Sequence, residues 1–145
     1  MSGTLFAAAA PVLAAARTLA AGPQPALLAI DGRCGSGKSA LGAWLAAQLG
    51  CDLVHMDDFY LPPAQRRPGW ERQPGANMDF ARLRAEVLAP LLAGQSAAYR
   101  AYVCRTGALQ PPRTLPPRPL TIVEGSYALH PALGVPFACR VFLTC

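Results

Sequence analysis

The stretch Gly32-Arg33-Cys34-Gly35-Ser36-Gly37-Lys38-Ser39 has the residue types and spacing of a cradle for phosphate oxygens, G-x-x-x-x-G-K-[ST]. Glycines permit backbone conformations that a β-carbon forbids, so successive N–H groups can turn into one concavity. Lys38 brings a compact positive charge for the β- and γ-phosphates, and the Ser39 hydroxyl is a ligand type for Mg²⁺. A helix starting here, with Ala40 in its first turn, adds the positive end of its dipole at the same point. The expected binding set for a nucleoside triphosphate, ATP or GTP, is therefore Gly32, Arg33, Cys34, Gly35, Ser36, Gly37, Lys38, Ser39 and Ala40. Of the 13 Lys and Arg residues Lys38 is the sole lysine, so a chain that otherwise uses arginine keeps lysine where this loop needs one. Cys34 reads as a tolerated small residue at a variable position rather than as a reactive thiol.

Two further places carry acids. Asp57-Asp58 follows a short apolar segment, where a carboxylate can bind metal or accept a proton from a substrate hydroxyl. The plainer alternative is that one of them caps a turn. Glu124 ends the run Thr121-Ile122-Val123, and an acid at a strand tip beside a phosphate loop is the usual second holder of metal or water. His55 lies within the strand before Asp57 and reads as a core histidine rather than a catalyst.

These groups must be positioned by neighbouring elements. The apolar run 26–30 suits a strand buried on both faces, and 39–49 places Leu41, Trp44, Leu45 and Leu49 at helical spacing with Gly50 as the stop. Strand, glycine loop and helix thus come in the order the motif demands. Segment 51–56 predicts a second strand, delivering Asp57-Asp58-Phe59-Tyr60 to its C-terminal end, where open α/β sheets place their ligands. Segment 5–21 is Ala-rich and apolar. It lacks a basic n-region, contains Arg17 and is too short to span a bilayer, so it predicts a surface helix burying Leu5, Val12, Leu13 and Leu19. Residues 61–76 hold Pro62-Pro63, Pro68-Gly69 and Pro74-Gly75 and predict a loop long enough to be functional. Asn77 or Asp79 caps the next helix, whose apolar face is Phe80, Leu83, Val87, Leu88, Leu91 and Leu92, with Pro90 kinking or thinning it before Gly94. Further strands are expected over 97–104, 121–123 and 140–144, an irregular crossing over 110–119, and a helical turn over 127–133.

At 145 residues a single domain is expected, with an N-terminal helix (5–21), a nucleotide-binding core (26–60 and 120–145) and an acceptor-side insert (61–119). Hydrophobic residues at 52% and charged residues at 14% make the chain globular. The net charge of +5 is spread over scattered arginines, with no basic run or aromatic stacking set, so neither nucleic acid nor membrane is an expected partner. Five cysteines, odd in number and without CxxC spacing, exclude a disulfide framework and a zinc site and point to reduced thiols in the cytoplasm. Self-association into a homo-oligomer is left open.

Ile30-Asp31-Gly32 running into the loop, His55-Met56-Asp57-Asp58-Phe59-Tyr60, the helix from Asp79, Tyr99-Arg100-Ala101-Tyr102 and Ile122-Val123-Glu124-Gly125 together resemble the uridine kinase / phosphoribulokinase-like group of P-loop kinases. The resemblance covers most of 26–144 and implies a parallel sheet between helical layers, a three-layer α/β/α arrangement. It implies ATP on the loop and phosphoryl transfer to a hydroxyl of a small acceptor. Carried over, Asp57 is the general base beside Lys38, and Ser39, Asp57 and Glu124 gather around Mg²⁺. Tyr60, Asp79 and Tyr102, with Asp57, face the acceptor. Two departures stand out. Val103 and Cys104 follow Tyr102 where the family has Asp and an aromatic residue, and Gly107 stands about where the family has a His that reads the pyrimidine. The family also continues into an Arg-bearing lid, which is expected to be missing from 1–145. The sequence therefore predicts a small-molecule kinase, a nucleoside being the first acceptor to consider. The alternative is a P-loop module that binds nucleotide without transfer.

Overall fold

A computed structural model describes residues 3–33 and 35–144 of the protein. Its regular elements are α1 (Gly3–Ala20), β1 (Ala26–Gly32), α2 (Lys38–Leu49), β2 (Asp52–His55), α3 (Phe80–Leu83), α4 (Ala89–Leu92), β3 (Ala97–Tyr99), β4 (Tyr102–Val103), β5 (Ala108–Leu109), β6 (Arg113–Leu115), β7 (Leu120–Glu124) and β8 (Cys139–Leu143). Alternate residues of β1 enter two different cores. Leu27 and Ala29 join Val54, Met56, Phe59, Leu83, Val87 and Val123 on one face, while Leu28 and Ile30 join Leu41, Leu45, Leu120 and Ile122 on the other. A strand apolar at every position needs helices on both sides, and it has them. Four strands form a parallel sheet in the order β2-β7-β1-β8. The expected α/β class and layering are those found.

On the second face, α1 approaches the sheet through alanines: Ala9 and Ala16, two turns apart, are its most buried described residues. Val12, Leu13 and Leu19, expected to lead the contact, are only partly buried against the same core, and the Leu5 side chain lies outside the described residues. Residues without γ-carbons let the helix axis come closer, so the large side chains flank the contact line instead of forming it. No helix among the described residues is long and apolar enough to cross a membrane. The described cysteines Cys51, Cys104 and Cys139 are free.

On the first face a continuous helical run covers 80–92. Asp79 caps it, Oδ1 accepting from the Arg82 N–H at 3.0 Å. Arg84–Leu88 form a π turn in which the Ala89 N–H bonds the Arg84 carbonyl. The wider turn stands just ahead of Pro90, whose missing N–H and bulky ring a regular α turn would not accommodate. The strand expected over 97–104 is instead two short ones. β3 pairs antiparallel with β6, and β4 with β5, so the segment expected to be wholly irregular contributes β6. The break falls at Arg100–Ala101, where the Arg100 carbonyl accepts from the Arg82 guanidinium and the Ala101 carbonyl from the Gln110 N–H. The loop 61–76 holds only short 3-10 turns. Its ends are closed by a Tyr60–Met78 bridge and by the bonds Leu61 N–H to Asn77 O and Asp79 N–H to Phe59 O.

Candidate active site

All four sheet strands run the same way, so the segments after β1, β2 and β7 emerge at one edge. After β1 the chain turns through Gly35 (φ 79°) and Gly37 (φ 94°), both left-handed, before α2 begins at Lys38. A β-carbon at Gly32 (φ 151°) would lie 2.5 Å from the Leu143 carbonyl oxygen and 2.8 Å from Ser36 Oγ, so the loop closes on β8 only because that position is glycine. The Lys38 side chain is buried, with Nζ donating to the Arg33 carbonyl at 2.8 Å. No described carboxylate forms a salt bridge with it. Ser36 Oγ is buried with no hydrogen-bond partner. A buried cation without a counter-ion is costly unless an anion completes it.

After β2, a 3-10 turn (Met56–Phe59) carries the acids. Asp57 is exposed on the site side, and its Oδ1 accepts from the Tyr60 hydroxyl at 3.1 Å. Burial first, then the Asp57 charge, pushes the Tyr60 phenol up to about 12, so it stays a donor at neutral pH. Asp58 turns the other way. Half-buried near His55, Arg113, Asp57 and Arg82, its carboxyl is raised above the usual range, chiefly by burial. Glu124 closes β7 fully buried, with Oε1 accepting from Ser39 Oγ at 3.2 Å and lying 2.5 Å from His55 Nδ1. His55 is therefore no core histidine. Its side chain is 40% exposed, and the bond to Glu124 is the main reason its pKa is raised. Gly42 on α2 leaves room for this arrangement, since a β-carbon there would stand 3.4 Å from Glu124 Cγ and 3.0 Å from Leu53.

These groups share one cavity of about 470 Å³, lined by Gly35, Gly37, Lys38, Ser39, Ala40, Asp57, Tyr60, Glu124, Gly125 and Ser126. Gly32, Arg33 and Ser36 do not line it. Gly32 and Ser36 lie behind the loop, and the Arg33 side chain lines a neighbouring cleft with Phe142, Leu143 and Thr144. Cys34 lies outside the described residues. Tyr60 also belongs to a second cavity of about 360 Å³, where Asp79 and Tyr102 join Pro62, Gln65, Arg82, Glu86, Arg100, Gly107 and Leu109. Of the expected residues, Gly35, Gly37, Lys38, Ser39, Ala40, Asp57, Tyr60 and Glu124 line the first cavity, and Tyr60, Asp79 and Tyr102 the second, Tyr60 being common to both. Sequence reasoning passed over Ser126 and the partner of His55. The one signal for Ser126 was its place two residues beyond a strand-tip acid.

Oxygen donors alone, one hydroxyl and two carboxylates, are what Mg²⁺ prefers, and it leaves the remaining positions to water and phosphate oxygens. Among the described residues no group of three or more His, Cys, Asp or Glu side chains could hold a metal. Ser39, Asp57 and Glu124 are oxygen donors of the type Mg²⁺ takes and line one cavity, Ser39 and Glu124 within hydrogen-bond distance of each other.

A parallel sheet with a glycine loop feeding a central helix, a buried loop lysine and acids at two neighbouring strand tips defines the P-loop kinase type of α/β fold. More closely, the chain has the fold of the uridine kinase-like P-loop kinases. It is similar to a possible uridine kinase from Bacillus stearothermophilus, with TM-score 0.73 and 24% identity, covering 92% of this chain and 79% of that one. It is similar to a candidate fructose transport system kinase from a Silicibacter species, with TM-score 0.66 and 22% identity over 81% of this chain and 62% of that one. D-glycerate 3-kinase from Cryptococcus neoformans var. grubii gives TM-score 0.56 and 19% identity over 88% and 53%. No protein-family model and no curated protein matches the sequence.

Proposed function

We propose that the protein is an ATP-dependent kinase that transfers the γ-phosphoryl group to a hydroxyl of a small molecule, with a nucleoside as the first acceptor to test. The observation that carries this reading is the cavity in which a buried, uncompensated lysine and a loop hydroxyl meet carboxylates from two other strand tips. A pure nucleotide binder needs no base such as Asp57, which lines the phosphate cavity and is hydrogen-bonded to Tyr60, the residue common to both cavities. Lys38 and the loop amides would bind the β- and γ-phosphates. Ser39, Asp57 and Glu124 would hold Mg²⁺, which supplies charge neutralisation when bound. Asp57 would accept the acceptor's proton on Oδ2, because Oδ1 already takes a hydrogen bond from Tyr60. Tyr60, Asp79 and Tyr102 would orient the acceptor, with the 61–119 segment building that side of the site. Little covalent work falls to the protein, so most of the rate would come from positioning and charge. The free thiols of Cys51, Cys104 and Cys139 suit a reducing, cytoplasmic setting.

The test is a phosphoryl-transfer screen with MgATP against nucleosides, sugars and hydroxy acids. Asp57→Asn on the best acceptor is expected to lower kcat by about 10²- to 10⁴-fold while leaving ATP affinity within a few-fold. Nucleotide-dependent stabilisation with no transfer to any acceptor would instead select the binding module. An Asp57→Asn enzyme with full turnover would remove the base from the mechanism.

A further inference from the structure

Asp31, the penultimate residue of β1, is buried, yet no basic side chain pairs with it among the described residues. Its carboxylate accepts three backbone N–H bonds: from Gly32 (2.6 Å) and Tyr127 (3.2 Å) on Oδ1, and from Leu129 (2.9 Å) on Oδ2. Both oxygens are therefore engaged by backbone N–H groups. What they do is fasten the turn after β7 to the start of the phosphate loop.

That turn needs fastening. Tyr127 has φ 70°, the only positive φ at a non-glycine residue among those described, and an L residue adopts that conformation reluctantly. Gly125 (φ 138°) presses on Met56, so that a β-carbon would come within 2.6 Å of Met56 Cβ. Between them stands Ser126. It lines the same cavity as Gly35, Gly37, Lys38 and Ser39, and no described group hydrogen-bonds its hydroxyl. That hydroxyl shares the cavity with Lys38, Ser39, Asp57 and Glu124, the groups expected to meet phosphate and metal.

We propose that Ser126 contacts the terminal phosphate of a bound nucleoside triphosphate, its hydroxyl donating to a phosphoryl oxygen, and that Asp31 is the positioning residue that holds it there. The inference rests on the nucleotide-binding reading above, and the experiment separates the two. Calorimetric titration with ATP and with ADP, each with Mg²⁺, is run on the wild type, Ser126→Ala, Ser126→Thr, Asp31→Asn and the Asp31→Asn/Ser126→Ala double variant. Ser126→Ala is expected to weaken ATP about tenfold and to leave ADP within about twofold, as loss of one hydrogen bond to a charged group at the terminal phosphate requires. Ser126→Thr, which keeps the hydroxyl, restores ATP affinity. Asp31→Asn places an amide donor against backbone donors and shows the same selective loss, and the double variant falls no further than the weaker single, because one residue acts through the other. Equal losses for ATP and ADP, no loss in Ser126→Ala, or losses that multiply in the double variant would each overturn the proposal. If Asp31→Asn does not fold, the two Ser126 variants decide alone. A wild type that binds neither nucleotide would overturn the nucleotide reading and this inference with it, whereas a wild type that binds ATP as tightly as Ser126→Ala does would overturn this inference only.

Discussion

Lys38→Met should move stability and nucleotide affinity in opposite directions. In the nucleotide-free protein the ammonium is buried, with one carbonyl acceptor at 2.8 Å and no salt bridge among the described residues. Burying a charge costs several kcal/mol even after relaxation, and a hydrogen bond to a charged group returns about 1.5–3 kcal/mol. The balance leaves the ammonium unfavourable by about 1–1.5 kcal/mol. Methionine fills nearly the same space without the charge, and its flexible thioether suits an irregular gap. For a chain of 145 residues about 1 kcal/mol shifts the melting temperature by roughly 2–4 °C, so the variant should melt about 2–6 °C above the wild type. Binding should go the other way. Removing one partner of a desolvated charge pair costs about 2–5 kcal/mol, or about 30- to several thousand-fold in ATP affinity.

The assay is thermal unfolding with and without saturating MgATP, followed by calorimetric titration. The expected pattern is a higher melting temperature without nucleotide and a much smaller shift on adding it. A Lys38→Met protein that is less stable than the wild type yet binds ATP normally would refute the reasoning. It would mean that the ammonium supports the loop rather than waiting for an anion.

Two other outcomes follow from the same geometry. His55 has a raised pKa, first through its bond to Glu124 and then through the charges of Glu124 and Asp58, opposed by burial and Arg113. A raised histidine stabilises fully below its unfolded pKa near 6.5 and loses that contribution as pH climbs through the folded value, so wild-type stability should decline from about pH 6 upward relative to His55→Gln. The side chain is 40% exposed, so solvent screening keeps the difference under about 1 kcal/mol, and denaturant titrations of both proteins across that range measure it; parallel curves would exclude the pair as a stabiliser. Gly125→Ala should cost about 2–4 kcal/mol, because φ 138° and a β-carbon 2.6 Å from Met56 Cβ leave no relaxed position for the methyl group. A urea midpoint unchanged within error would show that the turn after β7 is looser than described.

What the sequence disclosed was local. The loop, the strand before it and the helix after it are adjacent in the chain, and the left-handed glycines, the run 26–30 and the Gly50 stop each act within a few residues. The split at Arg100–Ala101 was hidden because it depends on the Arg82 side chain, 18 residues away, claiming a carbonyl that a continuous strand would have used. The π turn before Pro90 was visible only as a proline that had to disturb something. His55 was misread because its partner is 69 residues further on, and nothing in a strand's alternation says that an exposed neighbour will be a carboxylate. The alanine contact of α1 escaped because hydrophobic periodicity weights large side chains, whereas close helix approach rewards small ones.

Glu124 shows how register turns that local information into a site. In the β2–β7 ladder it stands opposite His55, and in the β1–β7 ladder opposite Ile30, two residues before the loop begins. The pleat sends successive side chains to opposite faces, so a one-residue slip of β7 would bury Val123 in place of Glu124 beneath α2. Leu120 and Ile122 pack with Leu28 and Ile30 on that side, while Val123 joins Leu27 and Ala29 on the other, so a slip would also exchange both cores. The hydrophobic pattern that stabilises the sheet is thereby the same pattern that holds an acid within 3.2 Å of Ser39 Oγ. The strand-tip acid is legible from the sequence because it ends an apolar run, and it reaches the loop because that run has only one register that buries it.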